Sequence, residues 1–396
     1  MPLEIYHQLG FRGKWNFESL EVDNTGEGVI LASKYMSQPD VERLPMDQKT
    51  RAIFDPQFFI PSIARGKLST YGFYPQQAAG GDFSTDEYPE EAAHESAEGC
   101  VAFQARNNFR YIVIPTRYYP GMPTDFTENQ QRLFVDPFLR VIQNQAISQQ
   151  IALQLVVNGE MIRDSVYSQD ILNWVTNIER ISAVYLIVEF SPRFKQINEI
   201  DDIYSLLNFI STLSQKPNEL DVILGYLNTE ALVLSIASPK IVTIGSFENT
   251  RMFNIRNFQE KKVGSFTASP NPRFYVSRLI QLIDKQYINT IRREVDDPDR
   301  FFDRNRYQAI MFDRRYVWNS KKPEPYKHYF LEFSKQLRRI GRMDGIDRYN
   351  EVTKMLQSAL ETYAALGIPF DSNSNDSHLA AWLNAARLFA RDQGWV

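Results

Sequence analysis

The chain has 396 residues, room for two to three domains of about 150 residues or one large barrel with an appendage, and its 43% apolar and 23% charged content with 18 Gly and 20 Pro excludes collagen-like, disordered and low-complexity classes. A net charge of −4, from 44 basic and 48 acidic residues, is too balanced for adhesion to DNA or an anionic membrane by global charge, so any polyanion must meet a local patch. Cys100 is the only cysteine, which excludes an intrachain disulfide and a thiolate zinc cluster and points to a reducing, cytoplasmic setting.

The start, Met1-Pro2-Leu3-Glu4, lacks the basic flank and apolar run of a secretory signal, and apolar runs such as Ala183 to Val188 are far shorter than a bilayer-spanning helix, so no membrane is expected. Short apolar runs then recur as strand candidates: Val29 to Ser33, Ala52 to Phe54, Tyr111 to Ile114, Ala152 to Val157, Ala183 to Val188, Val222 to Tyr226, Lys240 to Ile244 and Phe274 to Val276. Continuous apolar runs suit strands buried on both faces, as in a parallel α/β barrel wall.

Between the strands, residues 68 to 105 carry seven acids and no Lys or Arg, including Asp82, Asp86, Glu87, Glu90, Glu91, Glu95 and Glu98 around Gly80-Gly81. This reads as an acidic inserted loop, and its 82–98 portion as a surface for a protein partner. Helices are expected after Ser168-Gln169-Asp170, where Ile171, Leu172, Trp174, Val175 and Ile178 share a stripe, after Asp201-Asp202, and over Thr229 to Ala237.

Taken together, Val222 to Tyr226, the short apolar helix and Lys240 to Gly245 resemble the later strands of a (β/α)8, or TIM, barrel, with the pattern extending over roughly residues 25 to 280. The same stretch has a distant likeness to barrels of the tRNA-guanine transglycosylase family, whose three-Cys-plus-His zinc site cannot exist with one cysteine. The fold expected is therefore a TIM-barrel-like α/β domain over 1–281 with an acidic insertion at 68–105, followed by an all-helical region over 282–396. Within the latter, residues 285 to 348 hold 16 basic and 10 acidic side chains.

If the barrel forms, polar residues at strand ends converge on one mouth. Asp55, Arg117, Asn158, Glu160, Glu189, Asn228, Glu230, Glu248, Asn249 and Arg251 all follow strand candidates. Facing carboxylates would have their pKa values pushed apart, giving a proton donor and a base or nucleophile, with Glu160, Glu189 and Glu248 first and Asp55 fourth. The same acids could instead hold a divalent metal through oxygen ligands, or simply pair with Arg117, Arg193 and Arg251. Arg117, Asn158, Asn228 and Arg251 are candidates for substrate, and Gly245-Ser246 and Gly264-Ser265 for a phosphate.

The four histidines, His7, His94, His328 and His378, show no metal-binding spacing, and there is no nucleophile elbow, Walker loop or dinucleotide glycine pattern. Beside Val101 and Phe103, Cys100 reads as a small buried hydrophobe. In the basic region, Arg314, Arg315, Trp318, Arg338 and Arg339 combine guanidinium groups and aromatic faces as single-strand nucleic-acid binding requires, while a helical face docking on an acidic barrel explains the same string.

Three functions follow. The first is a barrel enzyme, hydrolase or transferase, acting at a glycosidic or phosphoester bond of a nucleotide or nucleic acid. The second is a non-catalytic subunit of a larger assembly, a prokaryotic antiphage system being one setting. The third is a single-stranded nucleic-acid binder.

Overall fold

The computed structural model describes residues 2–59, 66–79, 88–190, 195–258 and 271–396. Eight strands form one sheet: β1 (Glu4–Gln8), β2 (Gly28–Ala32), β3 (Ala52–Asp55), β4 (Tyr111–Ile114), β5 (Gln150–Asn158), β6 (Ala183–Glu189), β7 (Asp221–Leu224) and β8 (Ile241–Gly245). Their order is β3-β2-β1-β8-β7-β6-β5-β4, and every pairing is parallel. This is the cyclic order of a TIM-like barrel opened once, between β3 and β4. Across that seam the Arg110 N–H donates to the Ala52 carbonyl at 3.0 Å, so the sheet nearly closes.

Seven of the eight strand candidates are walls of this barrel. The eighth, around Phe274 to Val276, is instead half of an antiparallel hairpin, β9 (Arg273–Val276) with β10 (Gln281–Asp284). The first barrel strand is β1, whose sequence Glu-Ile-Tyr-His-Gln is too polar to read as a core strand. It is buried because His7 bonds Thr25 at 2.9 Å and Asn16 at 3.2 Å, which satisfies its ring nitrogens inside the core.

The acidic stretch differs from the expected loop along its second half. Glu90–Arg106 is a helix between β3 and β4. Ala93, Ala97, Cys100 and Val101 fall on its buried stripe, Glu90 and Glu91 favour its first turn, and Glu91, Glu95 and Glu98 face solvent. The buried Cys100 thiol is pushed up in pKa by burial. Asp82, Asp86 and Glu87 lie outside the described residues.

Beyond the hairpin the chain is helical. The helix Glu324–Gly341 buries Tyr326, Tyr329, Phe330, Phe333, Leu337 and Ile340 at helical spacing and packs on β1 and on the helix Lys14–Val22, on the barrel's outer surface. The helices Gly345–Leu366 and Ser377–Asp392 pack on each other, and the second also lies on Ile200–Ser214, where Trp382 Nε1 donates to the Ile197 carbonyl at 2.6 Å. No described helix is long and apolar enough to cross a membrane.

Candidate functional site

Two groups of buried polar residues occupy the C-terminal end of the barrel. The first lies on the axis. Asp55, wholly buried at the end of β3, accepts from Gln154 Nε2 on β5 at 2.6 Å, from the Gln57 N–H at 3.0 Å and from the Tyr185 hydroxyl on β6 at 3.3 Å. Gln57 Nε2 donates in turn to the Tyr226 hydroxyl at 2.9 Å. Burial raises the Asp55 pKa to about 7, outweighing the hydrogen bonds that favour its carboxylate.

Backbone strain sits at the same place. Gln57 and Tyr226 adopt left-handed φ values of +57° and +56°, each costing on the order of 1–3 kcal/mol for a residue with a side chain. The neighbouring Gly225 is required, because a Cβ there would stand 2.6 Å from Tyr185 Cε2. Over this network the rings of Phe253 and Phe258 close against Tyr226 and Phe59 against both of them, with centroids 5.2–6.2 Å apart.

The second group lies at the ends of β7 and β8. Glu230 is buried beside a cavity of about 30 Å³ walled by Leu186, Val188, Leu224, Tyr226 and Phe253, with Lys195 in the same lining. Its Oε1 accepts from the Asn228 N–H at 2.9 Å, while Oε2 has no partner. Burial raises its pKa to about 7 against the lowering influence of Arg251. Asn228 Oδ1, Thr229 Oγ1, Ser246 Oγ, Arg251 Nε and the Tyr329 hydroxyl are likewise buried without partners. Most buried polar atoms in proteins are bonded, so such a concentration is informative.

Next to it, Phe247, Glu248, Arg251, Arg273, Tyr326 and Tyr329 line a second cavity of about 30 Å³. Glu248 is ion-paired with Lys195, and although burial is the largest single influence and raises its pKa, that pairing together with the nearby Arg251 and Arg273 holds it low. The two cavities are thus joined by Glu230 beside Arg251 and by Lys195 against Glu248.

The predicted site residues divide accordingly. Glu248, Asn228, Ser246 and Arg251 belong to the β7–β8 group. Gly245 serves it indirectly: a Cβ there would meet Thr250 at 2.4 Å, so its absence seats the short helix Glu248–Arg251 on β8 rather than leaving room for a ligand. Glu189 is half-buried on β6, accepts from the Tyr118 hydroxyl and from the Ile255 N–H at 2.8 Å, and has its pKa raised by burial. Asp55 belongs to the axial network.

Glu160 is exposed in the first turn of the helix Gly159–Arg163, and no contact joins it to Glu189 or Glu248 among the described residues. Asn158 caps that same helix through Met161 N–H at 3.0 Å and ties the Gly121 carbonyl at 3.1 Å. Arg117 is buried, its backbone held on both sides by the Gln130 amide. Arg193, Gly264 and Ser265 lie outside the described residues.

In the basic region, Arg315 pairs with Asp313, Arg338 with Glu27 and Arg339 with Glu351, while Trp318 packs edge-on against Tyr316. Arg314 is exposed in a groove with Arg292 and Phe312. His7 and His378 are buried, each lowered by burial to a pKa of about 3. Among the described residues no three His, Cys, Asp or Glu side chains are placed to hold a metal ion.

No family model and no curated protein sequence matches the chain. The likeness to transglycosylase barrels therefore gains nothing from comparison, and the site rests on its own geometry. Sequence reasoning named Glu230 only as a strand-end acid and passed over Lys195 and Arg273. Glu230 carries the signal that could have raised it, since it follows β7 directly. Arg273 carries none, because it belongs to a strand outside the barrel.

Proposed function

We propose that the protein is a barrel enzyme that hydrolyses or transfers at a glycosidic or phosphoester bond, with Glu230 as the carboxyl that gives and takes the proton. The observation that carries this reading is the place of Glu230: a buried carboxyl at the end of β7, beside a cavity, with Oε2 unpartnered. A carboxyl with a pKa of about 7 is poised to serve as either acid or base near neutral pH. Glu189, also raised by burial, is the second carboxyl, and the segment Met252–Ile255 runs between them, lining the Glu230 cavity and donating to Glu189. Leu186, Val188 and Phe253 supply the dry wall that keeps such groups from losing their shifted pKa.

The test is turnover of p-nitrophenyl glycosides, p-nitrophenyl phosphate and nucleotides by the wild type and by Glu230→Gln. Loss of a general acid–base should reduce kcat by about 10²–10⁴-fold with the melting temperature nearly unchanged. Equal turnover by both proteins would overturn the assignment.

A second reading, a non-catalytic binding subunit, is favoured by the closure of Phe59, Phe253 and Phe258 over Asp55, which fills the barrel axis with side chains. A stoichiometric partner retained on purification, with no turnover of any substrate class, would select it.

A further inference from the structure

We infer that the cavity between Arg251 and Arg273 is an oxyanion site that takes the dianionic phosphate of a phosphomonoester. The inference rests on the reading that ligands bind at the ends of β7 and β8, and it names the ligand's class.

Arg251, 5% exposed, projects from the short helix after β8, and Arg273, 9% exposed, from β9. Both line the same cavity. Among the described residues neither guanidinium has a carboxylate within ion-pairing distance. Arg251 Nε has no hydrogen-bond partner, and its guanidinium lies 5.5 Å from the centre of the Tyr329 ring. Among the described residues Arg273 donates only to neutral acceptors, the Asn373 carbonyl and Ser374 Oγ. The one acid in the cavity wall among the described residues, Glu248, is engaged by Lys195. Glu248, Asp284 and Asp371 act on Arg273 from a distance, and burial with the neighbouring Arg251 still lowers it to about 10.

Two buried guanidinium groups facing one space are costly while that space holds no anion, because arginine does not discharge itself by losing its proton. A phosphate ester reverses the balance: two negative charges meet two positive ones, and each planar fork can bond two oxygens. Ser246 Oγ, buried and unpartnered just past β8, is a further donor at this end of the barrel. A cavity of about 30 Å³ holds a group of a few atoms, so the remainder of the ligand lies outside it, toward Glu230.

The test uses the full chain, with calorimetry and thermal shift against inorganic phosphate, ribose 5-phosphate and p-nitrophenyl phosphate. Binding by the wild type should weaken about ten- to a hundredfold in Arg251→Met, the loss of one or two charge-assisted hydrogen bonds. Arg251→Lys, which keeps the charge, should fall between the two and provides a folded protein if Arg251→Met does not fold. Glu230→Gln should bind phosphate as tightly as the wild type or more so. No binding by the wild type, or equal binding by both Arg251 variants, overturns the inference, as does binding of inorganic phosphate without either ester. The two readings fail separately: phosphate binding lost in Arg251→Met with turnover unaffected by Glu230→Gln would sink only the catalytic role. Turnover lost in Glu230→Gln with no phosphate binding would sink only the anion site.

Discussion

Arg348 and Arg251 are both almost fully buried, at 1% and 5% exposure, and they are buried in opposite ways. Arg348 sits where the helix Gly345–Leu366 starts beneath the end of Glu324–Gly341. Its Nε donates to the Ile340 and Met343 carbonyls at 3.2 and 3.0 Å, and Nη1 to the Ser235 carbonyl at 2.8 Å. It thus adds a charged donor to the carbonyls of a helix end, where a cation is also favoured by the helix dipole. Arg251 meets an unpartnered space. Burial therefore does not separate a structural charge from a binding charge; the acceptors around it do.

This contrast carries the largest expected effect. Arg348→Met should cost about 3–5 kcal/mol, since three charge-assisted hydrogen bonds are lost in the core and the Met343 carbonyl is left without a donor. Arg251→Met should change stability by less than about 1 kcal/mol or increase it, because a buried charge with no ion pair and an unbonded Nε is removed. Urea denaturation of the two variants checks both. Equal destabilisation would mean that Arg251 is held by the fold after all, and the contrast would vanish.

The same comparison extends to buried titratable groups, and pH separates them. Asp55 and Glu230 have folded pKa values of about 7, above their ordinary 3.8 and 4.5, so the folded state keeps protons that the unfolded state releases. Their contribution to stability is present at low pH and is lost as pH rises from about 4 to 7. His7 and His378 fall from 6.5 to about 3, so the unfolded state takes up protons that the folded state refuses. Their contribution is present above pH 6.5 and is lost as pH falls toward 3. Between about pH 4.5 and 6.5 the two slopes oppose, and the wild type should be nearly flat. Asp55→Asn combined with Glu230→Gln should unmask the histidines, stability then rising by about 4–5 kcal/mol across that window. A double variant as flat as the wild type would show that the carboxyls do not hold their protons.

How much of this could be read from the sequence follows from the same physics. Strands such as Ala152 to Val157 are legible because burial on both faces demands an unbroken apolar run. β1 is hidden because His7 and Gln8 are buried through bonds to Thr25, Asn16 and Tyr185, partners that only the fold supplies. Phe274 to Val276 has the composition of a barrel strand but pairs with β10, since composition does not specify a neighbour. In the Glu90–Arg106 helix the acids dominate the composition, while the helical signal lies in the spacing of the alanines. The site shows the same limit: Arg251 follows a visible strand, whereas Arg273 reaches it through a hairpin beyond the barrel.

The smallest effects belong to the ion pairs that fasten the C-terminal region to the N-terminal part of the barrel. Lys327 meets Glu18 at 2.6 Å, Arg306 meets Asp23 at 2.5 Å and Arg338 meets Glu27 at 3.5 Å. Each has at least one partner more than a third exposed, so Lys327→Met, Arg306→Met and Arg338→Met should each cost less than about 1 kcal/mol, and less still at about 1 M salt. Arg306→Met should be the costliest, because Asp23 is nearly buried and would keep only the Tyr307 hydroxyl, at 2.5 Å. Melting temperatures at low and high salt measure this directly. They also bear on whether the basic stretch serves nucleic acid. Arg338 and Arg339 already hold carboxylates of the same chain, so a single strand binding there must break those pairs. If retention of a single-stranded oligonucleotide fell in Arg338→Met by as much as in a variant of the exposed Arg314, the intramolecular pair with Glu27 would not be what occupies that side chain.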